Sequence, residues 1–135
     1  MPSYGSPITT EQARKVAAAA LAEARANNWT MAAAIVDPGG ILVYFEKIDD
    51  TQNASPQIAI DKARSAALFK RPTKTFQDSV EKGGIGLRVM TLRGAMPVEG
   101  GVPLLVDGKI VGGLGVSGGT AEQDGQCCKA ALDVL

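Results

Sequence analysis

The stretch GGVPLLVDGKIVGGLGVSGGT, residues 100–120, decides how this chain is read. Val106-Asp107-Gly108-Lys109 at its centre has the Asp-Gly pair of a two-residue type I′ hairpin. Strands of roughly Val102–Val106 and Lys109–Val116 are predicted on either side. A glycine-rich loop then runs into a helix, opened by Thr120 and Gln123 as a capping box. That order puts bare backbone N–H groups at a helix start, where an anion can bind. Gly113-x-Gly115-x-x-Gly118 also has the spacing of a dinucleotide fingerprint. Such a site needs a further strand carrying an acidic residue about 20 positions on. The residues after Gly118 read as one helix with no room before Leu135 for that strand, so no dinucleotide site is expected. Without a following Gly-Lys-Ser/Thr, a Walker-type phosphate loop is not expected either.

Outward from this stretch, the remaining elements follow from period and punctuation. Thr9 and Gln12 form a capping box for a first helix, with Ala13, Val16, Ala17, Ala20, Leu21 and Ala24 at helical spacing and Asn27-Asn28 as its stop. The runs Met31–Val36 and Ile41–Ile48 flank Asp37-Pro38-Gly39-Gly40, which predicts a hairpin on a type II turn. Ser55-Pro56 reads as an N-cap and first turn of a second helix, ended by Pro72. Thr73 or Thr75 is expected to cap a third helix that Gly83-Gly84 terminates, and Leu87–Leu92 is a candidate strand. The order α-β-β-α-α-(β)-β-β-α describes an α+β domain around an antiparallel sheet.

Composition narrows the function classes. At 135 residues a single domain spanning 1–135 is expected. Lys plus Arg and Asp plus Glu number 14 each, leaving no net field to attract nucleic acid or an anionic membrane. Aromatics at 4 % make a base-stacking platform a poor prospect. Neither a signal peptide nor a membrane span is expected. A 45 % hydrophobic content suggests apolar surface buried between copies, hence a homo-oligomer. The only cysteines, Cys127 and Cys128, are adjacent and poorly placed for a mutual disulfide, which favours packing in a reduced, cytoplasmic compartment. Histidine is absent, which removes His-based triads, HExxH zinc sites and the commonest haem ligand; no metal site is expected.

The chain resembles the haem-degrading, or GlcG/HbpS-like, family, which includes the C-terminal domain of PduO-type proteins. The residues that carry the resemblance are the Ala-rich first helix, Val36-Asp37-Pro38-Gly39-Gly40, Ile60–Ala67, Arg71-Pro72-Thr73 and, most specifically, the 100–120 stretch with Thr120, Gln123 and Asp124. The resemblance implies a profilin-like fold with about five antiparallel strands, oligomeric assembly, and in some members haem binding or degradation. Many relatives carry a histidine at the first hairpin where Ile41 stands here. A histidine role in iron ligation therefore does not transfer.

For site residues, Ser117, Gly118, Gly119 and Thr120 are candidates for holding a carboxylate, against the alternative that Thr120 simply caps its helix. Gly115, like Gly112 and Gly113, sits in a strand, where something must approach closely. Lys62 can pair with a substrate carboxylate or act as a base; its bland reading is a solvated helix face shared with Asp61. Ser65 lies on the same helix. Glu99 is a second catalytic candidate and Gly100 and Gly101 are ligand-binding candidates, all expected in one cleft with the glycine loop and the second helix, while Asp124 is accounted for by the helix dipole. Iron ligation without histidine leaves Tyr4, Tyr44, a methionine such as Met96, or a cysteine. The reading is thus a small-ligand-binding protein taking haem weakly or a small carboxylate. The alternatives are an enzyme of small carboxylate or carbonyl catabolism using Lys62 or Glu99 in proton transfer, and a non-catalytic oligomeric scaffold.

Overall fold

The computed structural model describes residues 1–135. Its main elements are α1 (Thr10–Ala26), β1 (Ala32–Val36), β2 (Leu42–Lys47), α2 (Ser55–Phe69), α3 (Thr73–Lys82), β3 (Gly101–Val106), β4 (Lys109–Ser117) and α4 (Ala121–Ala131). The strands form one antiparallel sheet in the order β2-β1-β4-β3.

The α+β class holds, but the sheet has four strands rather than about five. The expected strand over Leu87–Leu92 is instead part of a 3-10 helix at Gly84–Thr91, of which only Val89 is buried. Strand preference is expressed against a neighbouring strand, and this segment has none. Gly83 (φ 71°) and Gly84 (φ 56°) turn it back along α3, bringing Gly86 onto the Ser79 carbonyl.

Several local expectations are met. Both capping boxes form, Thr9 with Gln12 and Thr120 with Gln123. The buried stripe of α1 is the six residues read from the sequence. Asp107 (φ 51°) and Gly108 (φ 73°) both take the positive φ that a type I′ turn demands.

Three others are corrected. In the first hairpin the positive φ falls on Gly40 (82°), not Gly39, so the turn is not type II. Asp37 explains the change: its Oδ1 accepts the N–H groups of Gly39 (2.9 Å) and Ile41 (3.0 Å), an Asx-type arrangement. Ser55 does not cap α2; its hydroxyl joins Gln52 (2.9 Å) and Ser117 (3.2 Å) instead. Nor do Thr73 or Thr75 cap α3, because Thr73 Oγ1 accepts the buried Gly101 N–H at 2.9 Å. In both corrected caps, a buried backbone or side-chain partner from the sheet captures the hydroxyl that capping would use.

Helices cover both faces of the sheet. Ala33 and Ile35 of β1 and Leu114 and Val116 of β4 face one core with α1 and α4, including Cys127, Cys128 and Ala131. Ala32, Ala34 and Val36 face the other, against Ala59, Ala63 and Ala67 of α2. This two-sided burial is why β1 reads as a continuous apolar run. On the α2 side the sheet is made of very small residues. A Cβ on Gly113 or Gly115 would collide with the carbonyls of Ala63 and Ala59, so α2 sits almost on the strand backbone. The close approach at Gly113 and Gly115 is a helix, whereas Gly112 meets the Val36 carbonyl of β1 and the Ile8 side chain.

Candidate functional site

At the end of the sheet where β3 begins, α2 and α4 are tied across the sheet by a buried ion pair. Lys62 on α2 directs Nζ to Asp124 Oδ2 on α4 at 2.8 Å and to the Val116 carbonyl at 3.0 Å. The side chains are 1 % and 3 % exposed. Lys62 is therefore not on a solvated face, and Asp124 does more than complement a helix dipole. Val116 N–H bonds the Gly100 carbonyl (2.8 Å), so the next rung of the β3–β4 ladder would bring Gly100 N–H to the Val116 carbonyl. The ammonium occupies that acceptor, and Gly100 turns away with φ 124°. A Cβ on Gly100 would lie 2.7 Å from Nζ, so the absence of a side chain there is what admits the lysine.

Asp124 also accepts the Gly119 N–H through Oδ1 at 3.0 Å. Burial pushes its carboxyl above the ordinary range, opposed by the Lys62 ammonium and by the Gly119 N–H. The N–H groups of Thr120 and Gln123 are taken by the capping box. The chain's own side chains thus occupy much of the anion-binding capacity of this helix start. Ser117 is buried against Ser55, and Gly118 packs on Met31. Ser65 is fully buried and accepts the Met96 N–H at 3.1 Å, pinning the 94–96 loop to α2. No buried side-chain polar atom lacks a partner.

A cleft lies directly in front of the ion pair. About 390 Å³ in volume, it is lined by Glu99, Gly100 and Gly101 with Lys74 and Asp78 of α3 and Gly125 and Lys129 of α4. A neighbouring hollow shares Lys74 and Glu99 and reaches Thr120 and Glu122. Of the residues singled out from sequence, Glu99, Gly100, Gly101 and Thr120 come together around these two hollows. Lys62, Ser65, Gly115 and Ser117 lie buried behind or away from them, and Gly118 and Gly119 line neither. Glu99 is held by its backbone N–H on Gln77 Oε1 (2.7 Å), and its carboxylate packs on Gly125, its Cδ 2.7 Å from where a Cβ would sit.

The cleft's charges balance: Lys74 pairs with Asp78 at 3.0 Å, while Lys129 and Glu99 each stand without an oppositely charged partner within salt-bridge reach. Asp78 beside it holds the Lys74 ammonium above its ordinary range. Sequence reasoning missed Lys74, Asp78, Gly125 and Lys129. The readable signals were an i,i+4 Lys–Asp pair on α3 and a glycine inside α4, which costs about 1 kcal/mol unless something packs on it.

Iron chemistry finds little support in this arrangement. The cleft lining holds no Cys, Met or Tyr, and no group of three or more His, Cys, Asp or Glu is placed to hold a metal ion. Tyr4 and Tyr44 donate to the Ala67 carbonyl (2.7 Å) and to Glu46 (2.9 Å). Met96 lies at a separate hollow with Asp61 and Arg64. Burial pushes the Cys127 thiol up to about 12 and raises that of Cys128 further, so both stay protonated. The cleft lining therefore offers no soft or aromatic-hydroxyl ligand set for iron.

Comparison with known proteins agrees with this architecture. The chain is 40 % identical over 110 residues to protein GlcG of Escherichia coli, covering 82 % of this chain and 81 % of GlcG. The crystal structure of Klebsiella pneumoniae protein ORFY superposes with a TM-score of 0.87 at 30 % identity, over 98 % of this chain and 92 % of ORFY. A crystal structure of a PduOC:haem complex superposes at 0.85 with 27 % identity, over 96 % and 95 %. No helix is long and apolar enough to cross a membrane. The family model for haem-degrading HbpS-like proteins matches residues 8–133, and the chain belongs to that family.

Proposed function

We propose that this chain is a small-ligand-binding protein whose ligand carries carboxylates, either haem held weakly by its propionates or a small carboxylate. It binds in the cleft lined by Glu99, Gly100 and Gly101. The observation that carries the reading is Lys129, a cation without a carboxylate partner, facing bare glycine backbone in a cleft of about 390 Å³. That volume lies at the lower end of ligand pockets, which run about 300–1,000 Å³. The haem complex of a similar structure supports the ligand class. The absence of histidine argues for edge contacts rather than axial ligation. We place the protein in the cytoplasm as a homo-oligomer. The two unpaired cysteines and the exposed apolar side chains of Ile41, Leu42 and Leu68 support that placement.

A second reading, proton transfer on a small carboxylate or carbonyl substrate, rests on Glu99 alone. Its carboxylate borders the cleft, whereas Lys62 gives its ammonium to Asp124 and Val116. A haem titration followed by absorbance separates the two. Ligand binding predicts a saturable, shallow Soret change that Lys129→Gln weakens. No spectral change, together with substrate turnover lost in Glu99→Gln, would favour the enzyme.

A further inference from the structure

A second cleft, between α3 and the Gly84–Thr91 turn, has a different character. It encloses about 360 Å³, and its two charged residues are Arg71 and Arg88. Each of the other four hollows on the molecule includes at least one aspartate or glutamate in its lining; this one has none. Neither arginine lies within salt-bridge distance of a carboxylate. An unbalanced pair of guanidinium groups in one concavity matches an anion, and their planar forks suit a carboxylate.

The rest of the wall is apolar. Phe76 and Val89 form a buried floor, 4 % and 7 % exposed, while Ile85 and Leu92 stand open at 77 % and 43 %. Arg71 is already fixed: Nε donates to the Phe69 carbonyl at 2.8 Å, and the guanidinium lies 5.5 Å from the centre of the Phe76 ring. A cation on an aromatic face beside open aliphatic side chains recognises a flat apolar body with a charged end.

From this geometry we propose that the α3/84–91 cleft binds a compact carboxylate with a one- or two-ring aromatic body. The ring packs on Phe76, Ile85 and Leu92, and the carboxylate meets Arg71 and Arg88. The proposal does not depend on the Glu99 cleft, which is lined by different residues apart from Thr75.

The test uses 2-naphthoate as the probe, with the neutral 2-naphthylmethanol and inorganic phosphate as comparisons, read by amide chemical shifts of the full chain. The expected result is saturable 2-naphthoate shifts confined to residues 71–92, with each comparison binding about tenfold more weakly or worse. Arg88 is exposed and outside the core, so Arg88→Gln should fold normally and weaken 2-naphthoate by about tenfold. Lys15→Gln, which removes the same charge from exposed α1 surface, should leave binding unchanged. The proposal is overturned if 2-naphthoate gives no saturable shift. It is equally overturned if the neutral analogue or phosphate binds as well, or if Arg88→Gln keeps full affinity.

Discussion

Breaking the Lys62–Asp124 pair one side at a time is the sharpest probe of the fold. Each side chain is almost fully withdrawn from water, at 1 % and 3 % exposure. Lys62→Met leaves a buried carboxylate whose remaining support is the Gly119 N–H; Asp124→Asn keeps that contact but leaves a buried ammonium on the Val116 carbonyl. Removing one partner of a buried pair costs about 3–5 kcal/mol. With a urea m-value of roughly 2 kcal/mol per molar, each single variant should lower the denaturation midpoint by on the order of 2 M. The double variant buries no unpaired charge. It should therefore lose much less than the sum, with a coupling of at least about 1 kcal/mol in a double-mutant cycle. Urea melts of the four proteins by circular dichroism measure this. Single variants each costing under about 1 kcal/mol, or strictly additive losses, would refute a structural ion pair spanning the sheet.

Two further outcomes follow from packing and burial. Gly115→Ala drives a methyl into the Ala59 carbonyl of α2 and should destabilise the fold by about 1–3 kcal/mol in the same melts, with the register of β4 unchanged. The thiols set an alkaline limit. Below pH 9.0 the native and unfolded states both keep the Cys127 proton. Between 9.0 and about 12 only the unfolded thiol ionises, so stability falls by up to about 1.4 kcal/mol per pH unit for that thiol. Cys128 acts in the same direction. Thermal melts from pH 8 to 10.5 should show the decline, and native protein at pH 8 should resist thiol labelling that proceeds freely in denaturant.

Features governed by neighbours in sequence were legible. The α1 stripe, both capping boxes and the Asp107-Gly108 turn depend on residues within a few positions of one another, and all formed as read. The first hairpin's turn is the local exception, since Asp37 accepts N–H groups only two and four residues on, and the other misread features depend on distant partners. Ser55 and Thr73 have the chemistry of caps, but Ser117 and Gly101 claim their hydroxyls. Leu87–Leu92 has strand composition but no strand to pair with. The dinucleotide-like spacing failed for a structural reason as well, because Gly113 and Gly115 lie within β4 beneath α2, not in a strand-to-helix turn. At the site, the sequence reading puts Glu99, Gly100 and Gly101 in one cleft with the 117–120 loop and the second helix. Glu99, Gly100, Gly101 and Thr120 line the two hollows, whereas Lys62, Ser65, Ser117, Gly118 and Gly119 do not. Lys74 and Lys129 were missed because nothing local shows that α3 and α4 converge there. The partnership of Lys62 with Asp124 spans 62 positions and carries no local signature.

Comparing haem with iron-free protoporphyrin IX tests whether the proposed ligand is held by its carboxylates and apolar edge without a bond to iron. Binding of both is followed by absorbance and by amide shifts. Equal affinities within about threefold are expected, with shifts centred on Glu99–Val102 and Gly125–Lys129. Haem binding tighter by about a hundredfold or more, some 2.7 kcal/mol, with a sharp Soret band of an axially ligated iron, would contradict that expectation.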